Sequence, residues 1–315
     1  MQEQVPTRSG FVTLIGRPNA GKSTLLNAVL GQDISIATPK PQTTRHRILG
    51  VHHVEDRGQI AFLDTPGIHR DTRGRILNKR MVQLALDAVR ESDAVLWVLD
   101  VESALRQPDR PLWGEDEDIL GLLQQSGRPV VLALNKVDRV KDKGRILPAL
   151  ASIGELGFFR DVVPVSALRG SQLDTLVQVL WALLPEGPAL FPAEMVTDRM
   201  ERFLAEERIR EQVLLQTSQE VPYGVAVEVE RFSERAEDGV LEISALLHVE
   251  RDTQKAIVIG RQGARLKEIG TAARLRLESF FGRKVMLHLL VRVQRDWTTR
   301  PADVTRFLGE SGEQP

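Results

Sequence analysis

Phe11-Val-Thr-Leu-Ile-Gly16-Arg-Pro-Asn-Ala-Gly21-Lys22-Ser23 decides the fold of this 315-residue chain. Five largely apolar residues read as a buried strand, and the residues after them fit G-x4-G-K-[ST]. The spacing Leu25, Leu26, Val29 then predicts a helix over Lys22–Leu30. A strand, a glycine turn and a helix in that order form a phosphate-binding loop. The glycines let the backbone wrap an anion, and the N–H groups at the helix start point toward it. Lys22 is placed to neutralise β- and γ-phosphate charge and Ser23 to ligate Mg²⁺. The contacts expected along this turn are Asn19, Ala20, Gly21, Lys22, Ser23 and Thr24.

Outward from the loop, strand and helix signals alternate. Ile60–Asp64, Ala94–Asp100, Val130–Leu134 and Val162–Val165 are apolar runs, and Asn78–Arg90 and Leu173–Leu184 have helical spacing. Continuous apolar runs alternating with helices predict an α/β domain with a mostly parallel sheet covered on both faces. Arg47–Val54 is expected to join Ile60–Asp64 as an antiparallel hairpin across Glu55–Gly58, which makes the sheet mixed.

Short polar motifs stand where such strands end, the place where sheets of this kind bind ligands. Asp64-Thr-Pro-Gly67 puts Asp64 near Mg²⁺ and the Gly67 N–H near the γ-phosphate. Asn135-Lys-Val-Asp138 offers a carboxylate that can accept both N1 and N2 hydrogens of guanine, a donor pair that adenine lacks. Lys136 can lie across the base, and Ser166-Ala167 can bring an N–H to guanine O6. Between Asp33 and Arg45, Thr43 or Thr44 must supply a second Mg²⁺ oxygen, and Thr44 is preferred. The pattern therefore predicts GTP and GDP as ligands, Mg²⁺ on Ser23, Thr44 and Asp64, and hydrolysis resting on Lys22, Thr44 and Gly67. Ile68 follows Gly67 where Ras-like enzymes carry a water-orienting glutamine, so slow intrinsic hydrolysis is expected.

Leu184–Pro192, with three prolines and Gly187, reads as a linker. Beyond it, Asp198 and Glu201 have capping-box spacing. Tyr223–Phe232, Leu241–Arg251 and Lys284–Arg295 alternate as half-buried strands, and Ala264–Phe281 is helical with Leu266, Ile269, Ala273, Leu277 and Phe280 on one face. This second domain is expected to be α+β. The expected partition is 1–184, a linker at 185–197, a second domain at 198–300 and a tail at 301–315.

Charge separates the two parts. Arg251–Arg300 holds twelve Lys or Arg against four Asp or Glu, a net of +8, and the chain as a whole is −1, which leaves −9 elsewhere. A basic module on an acidic body suggests a polyanion partner. Within it Gly260-Arg261-Gln262-Gly263, ahead of a helix, has the form of a loop that clamps the backbone of single-stranded RNA. Arg265 and Lys267 add charge beside it. Gly154-Glu-Leu-Gly157 has the same spacing but carries an acid and no basic helix follows. Arg274, Arg276, Arg283 and Lys284 are equally readable as phosphate contacts or solvated charge.

The chain has no cysteine, which excludes disulfides, thiolate metal sites and cysteine nucleophiles and fits a reducing compartment. Met1–Gly10 lacks the apolar core of a signal peptide. No apolar run approaches the ~18 residues of a membrane span.

Gly16-Arg-Pro-Asn-Ala-Gly-Lys-Ser-Thr24, Pro41-Gln-Thr-Thr-Arg-His-Arg-Ile48 and Asp64-Thr-Pro-Gly-Ile-His69 resemble the Era family of bacterial ribosome-assembly GTPases. Pro222-Tyr223, Val227-Glu-Val-Glu-Arg-Phe232 and Ile257-Val-Ile-Gly-Arg-Gln-Gly263 are similar to its KH domain, so the resemblance covers nearly the whole chain. It implies a Ras-like P-loop GTPase domain followed by a type II KH domain, acting as a monomer on the 3′ end of 16S rRNA during small-subunit maturation. It further implies a cytoplasmic protein with peripheral contact at the inner membrane. Asn19 is a feature of related GTPases that bind K⁺. Arg106–Trp113 is longer than the family norm. Two other readings compete. In one, a membrane-surface signalling GTPase uses its basic domain on anionic lipid. In the other, a tRNA-modifying GTPase would need a C-terminal cysteine that this chain lacks.

Overall fold

The computed structural model describes residues 7–54, 57–68, 75–218 and 221–309. It divides into two units, the first running to Asp198 without Thr38–Thr43 and Arg73–Arg80, the second made of those two segments and the chain from Arg199.

The first unit is built on a six-stranded sheet in the order β2-β3-β1-β4-β5-β6. Its elements are β1 (Arg8–Ile15), α1 (Lys22–Leu30), β2 (Ile48–Val54), β3 (Gly58–Asp64), most of α2 (Ile76–Glu91, from Met81 on), β4 (Ala94–Asp100), α3 (Val101–Ala104), α4 (Glu115–Ser126), β5 (Val130–Asn135), α5 (Leu147–Glu155), β6 (Asp161–Pro164) and α6 (Leu173–Ala182). β2 pairs antiparallel with β3, and every other pairing is parallel. Six successive residues of β4 and all six of β5 are buried, because helices cover both faces of a parallel sheet. The expected mixed, mostly parallel sheet is therefore what forms. Trp97 sits in this core with its ring 5.7 Å from that of Phe159.

The second unit runs α7 (Glu201–Gln216), β7 (Ala226–Glu234), β8 (Leu241–Val249), α8 (Asp252–Ile259), α9 (Ala264–Phe281), β9 (Val285–Val293) and α10 (Pro301–Phe307). β7 and β8 are antiparallel and β8 and β9 parallel. One sheet face is closed by α7 and α9, which bury Ala205, Ile209, Val213, Ile269, Ala273 and Leu277.

Three local expectations change. The Asp198–Glu201 capping box does not form. Glu201 is the first helical residue and Met200 its N-cap, with no side-chain bond, so Glu201 stands too early to reach back as a box glutamate. The strand expected from Tyr223 begins at Ala226, because Val221–Tyr223 is a 3-10 turn. There the Trp297 indole donates to the Gly224 carbonyl at 2.9 Å. It is Phe281 rather than Phe280 that packs on the second core, while Phe280 lies 4.3 Å under the Arg208 guanidinium. Residues 185–197, read as the linker, make specific hydrogen bonds. Leu190 and Phe191 N–H groups donate to Gln59 Oε1 at 2.7 and 2.9 Å, and Val51 N–H donates to Val196 O at 2.8 Å. Residues 55–56 of the hairpin turn, His69 and Glu310 lie outside the described residues.

Candidate functional site: a nucleotide cradle and a basic groove

The carboxyl ends of β1, β3, β5 and β6 bring four sequence motifs to one edge of the first sheet. Gly16 leaves β1 with φ 152°, and a Cβ there would lie 2.3 Å from Val98 O. Asn19 (φ 65°) and Gly21 (φ 100°) are left-handed, and a Cβ on Gly21 would meet Asn135 Nδ2 at 2.4 Å. The loop thus has glycine where neighbouring backbone or the base motif presses on it. α1 starts at Lys22, so its free N–H groups face the space the loop encloses.

Lys22 is buried, and its Nζ donates to Gly16 O and Arg17 O, both at 3.2 Å. Burial lowers its pKa to about 8, against the pull of Asp64 in the other direction. Ser23 Oγ lies 2.7 Å from Asp64 Oδ2 and 2.8 Å from Thr44 Oγ1. Asp64 is fully buried, which pushes its pKa up, and its Oδ1 has no hydrogen-bond partner among the described residues. Three hard oxygens from three segments, with a spare carboxylate oxygen, are the donor set a small divalent cation takes. The site fits Mg²⁺. Thr43, the alternative considered beside Thr44, turns away, with its Oγ1 on Lys40 O at 2.7 Å and Thr38 Oγ1 at 2.6 Å.

A Cβ on Gly67 would lie 2.7 Å from Pro18 N, so only glycine can follow the loop this closely. Ile68 N–H donates to Gly16 O at 3.2 Å, while its side chain is buried in the core beside Ile15. The side chain at this position is turned into the core.

The base motifs interlock. Asn135 Nδ2 donates to Ala20 O at 2.9 Å, and Asn135 Oδ1 accepts from Ala167 N–H at 3.0 Å. Ser166 Oγ donates to Asp138 Oδ1 at 2.5 Å, orienting a carboxylate that remains exposed. Lys136 Nζ bridges Asn19 O and Asp100 Oδ2, each at 2.6 Å. Thr24 sits half-buried in the first turn of α1.

Sequence reasoning missed Ser35, whose Oγ donates to Asp64 Oδ2 at 2.7 Å, and Asp100, the partner of Lys136. Asp100 ends an apolar strand, and that placement was a readable signal. Ser35 carried none.

In the second unit Gly260, Arg261, Gln262 and Gly263 join α8 to α9. Gly260 (φ 71°), Gln262 (φ 52°) and Gly263 (φ 79°) are left-handed, and the loop opens directly onto the N-terminus of α9. Arg261, Gln262, Arg265 and Lys267 are exposed. Beside the loop runs a groove of about 420 Å³ between α9 and β9, with Leu266, Leu287 and Leu289 as floor and Lys267 and Arg274 as rim. Gly154 and Gly157 differ. Gly154 lies inside α5 and Gly157 just past its end, so no helix N-terminus follows. Arg274, Arg276 and Arg283 are held in ion pairs with Glu278, Glu211, and Glu201 with Glu234. His248 Nε2 meets Glu228 at 3.0 Å. Among the described residues no cluster could hold a metal through His, Asp and Glu alone, and no helix is long and apolar enough to cross a membrane.

Residues 11–136 match the family described as 50S ribosome-binding GTPase, and residues 220–298 match the KH domain family. The chain is 48% identical over 307 residues to the GTPase Era of Geobacter metallireducens, covering 98% of each. It is 46% identical to that of Xylella fastidiosa over 98% of this chain and 99% of the relative. The chain belongs to the Era family of GTPases. A solved structure of Era in complex with MgGDPNP and nucleotides 1506–1542 of 16S ribosomal RNA superposes with a TM-score of 0.90 at 38% identity, over 96% of this chain and 99% of that one. A single-residue variant of Aquifex aeolicus Era bound to GDP·AlF4⁻ matches with the same score, identity and coverage. As an Era-family member the chain is a GTPase that binds GTP and GDP with Mg²⁺, and its second unit contains a KH domain over residues 220–298.

Proposed function

We propose that this GTPase is a switch whose KH groove takes the 3′ end of 16S rRNA during maturation of the small ribosomal subunit. The observation that carries this reading is the exposed Gly260–Gly263 loop opening on the α9 N-terminus and the groove beside it. A relative with 38% identity holds nucleotides 1506–1542 of that RNA.

In the nucleotide cradle, Lys22 neutralises β- and γ-phosphate charge, and Ser23, Thr44 and Asp64 hold Mg²⁺. The ion, when bound, offsets charge on the phosphate oxygens. Asp138 reads guanine N1 and N2, with Lys136 across the ring and the Ser166-Ala167 turn beside O6. The Gly67 N–H donates to the γ-phosphate. Water adds to the γ-phosphorus as its bond to the β–γ bridging oxygen breaks, giving GDP and inorganic phosphate. The Ile68 side chain is buried and cannot orient that water, which supports slow hydrolysis without a partner. Asn19, at the loop's left-handed corner, is assigned to a K⁺ ion that would stabilise transition-state charge.

Titration with a single strand copied from the 16S 3′ end, with tRNA and with anionic liposomes, each in GDP and in GDPNP, tests the reading. Tightest binding to the 16S strand, altered by the nucleotide, is expected. Preference for tRNA or for the liposomes would replace it. The protein works as a cytoplasmic monomer in this reading, and peripheral membrane contact would appear only in the liposome arm.

A further inference from the structure

Arg17, the second residue of the phosphate loop, is not used by any role above, nor is the long Arg106–Trp113 segment. The two meet. Arg17 Nε donates to Glu115 Oε2 at 3.1 Å and its Nη1 to Asp116 Oδ2 at 3.2 Å. Its guanidinium lies 5.5 Å from the centre of the Trp113 ring, and that of Arg106 lies 5.8 Å from the same ring. The Trp113 indole is pinned by donating to Ser103 O at 3.1 Å, and Leu112 is buried in the core. Asp116 is fully buried, and its Oδ1 has no hydrogen-bond partner among the described residues.

A buried carboxylate with one oxygen unsatisfied is costly. Packing would be served better by an amide or an apolar residue. What the carboxylate supplies is a fixed, charge-assisted hold on Arg17, whose own carbonyl accepts from Lys22 Nζ at 3.2 Å. The next two residues are held from other sides, Pro18 against Gly67 and Asn19 O by Lys136. Arg17 is thus the outer anchor of the Arg17-Pro18-Asn19 corner.

We propose that Asp116 is a positioning residue for nucleotide binding: through Arg17, sandwiched against Trp113, it fixes the outer half of the phosphate loop in its anion-binding form. This goes beyond the proposed RNA function and rests only on the nucleotide site of the GTPase.

The clamp is also sensitive to pH. Burial pushes the Asp116 carboxyl up to about 6, opposed by Arg17 and reinforced by Glu115 and Asp100. Arg106 and Glu102 border the same cavity of about 190 Å³ behind the loop. Protonation near pH 6 removes the charge that holds Arg17. For stability the sign is opposite. The folded protein binds the Asp116 proton more tightly than the unfolded chain does, so stability falls as pH rises through the window from about 4 to about 6. A neutral amide should therefore stabilise the fold at pH 7.5 while loosening the loop.

Release of fluorescent mant-GDP from the full chain tests this. Asp116→Asn and Arg17→Met should each release it about tenfold faster at pH 7.5, the size of one charge-assisted hydrogen bond. The double variant should be no faster than either single one. Wild-type release should accelerate from pH 7.5 to pH 5.5, whereas both variants should be flat. Asp116→Asn should also melt higher than wild type at pH 7.5. Wild-type release rates and pH profile in Arg17→Met would overturn the proposal, whatever Asp116→Asn does. A folded Asp116→Asn protein that keeps the wild-type rate would overturn it equally. So would an Asp116→Asn variant that both melts lower and fails to bind, since that is loss of structural support.

Discussion

The hydroxyl of Ser23, one residue into α1, lies 2.7 Å from Asp64 Oδ2 at the end of β3, although the two are 41 residues apart. β1 and β3 are parallel neighbours, with Leu14 opposite Asp64 in the register. The turn that leaves β1 therefore has to pass the last carboxylate of β3. This relation makes a Mg²⁺ site out of two motifs that are individually weak.

Asp64→Asn should lower Mg²⁺-dependent GTP hydrolysis on the order of a hundredfold, the usual cost of one preorganised electrostatic group. It should not lower the melting temperature at pH 7.5. Burial holds the Asp64 carboxyl above the usual range, so its charged form costs folding energy as pH rises. Single-turnover phosphate release and a thermal melt measure both. A variant that hydrolyses GTP normally would remove Asp64 from the metal site.

Asp138→Asn should weaken GTP binding and admit xanthosine triphosphate, because the amide can donate to the carbonyl that replaces the guanine N2 amine. Competition binding of the two nucleotides measures the exchange. Unchanged GTP preference would mean that the base lies elsewhere.

Nucleotide binding should take up protons in mildly alkaline solution. Lys22 is buried and its pKa falls to about 8 from 10.5. Between those values the unfolded chain holds that proton and the free protein does not, so the free protein gains stability as pH rises through that window. GTP phosphates restore the charge, so binding near pH 9 should draw in up to one proton and weaken as pH climbs. Calorimetry in buffers of different ionisation enthalpy reads the proton count, and Lys22→Met should abolish it.

Hydrolysis should run faster in K⁺ than in Na⁺, with Asn19→Ala erasing the difference. Equal wild-type rates in the two salts at matched ionic strength would withdraw the K⁺ assignment.

Replacing Arg261 and Gln262 with Asp should reduce binding of the 16S-derived single strand steeply, while GTP affinity stays at its wild-type value. In the wild type, log K should fall with log salt at roughly −0.7 per phosphate neutralised. Arg265→Ala should flatten that slope by about one contact and weaken unrelated sequences alike. Undiminished RNA binding by the double Asp variant at equal ionic strength would rule out the clamp loop.

By itself, the sequence determined the strand–glycine turn–helix at Phe11–Leu30, the Mg²⁺ and guanine motifs at strand ends, and the basic Gly260–Gly263 loop ahead of α9. Those features are written locally, in hydrophobic period, glycine placement and the order of short polar motifs, so they can be read before anything folds. Thr44 could be preferred over Thr43 but not separated from it. Only the folded loop turns one hydroxyl toward Ser23 and the other toward Lys40. Tertiary structure also decided Ser35 on Asp64, Asp100 on Lys136, and Asp116 with Trp113 on Arg17. The capping box failed for the same kind of reason, since the helix that it should open begins at Glu201 itself. Spacing along a chain fixes which groups can share a turn or a strand end. Which buried oxygen meets which distant cation depends on how strands stack side by side, and no local pattern records that.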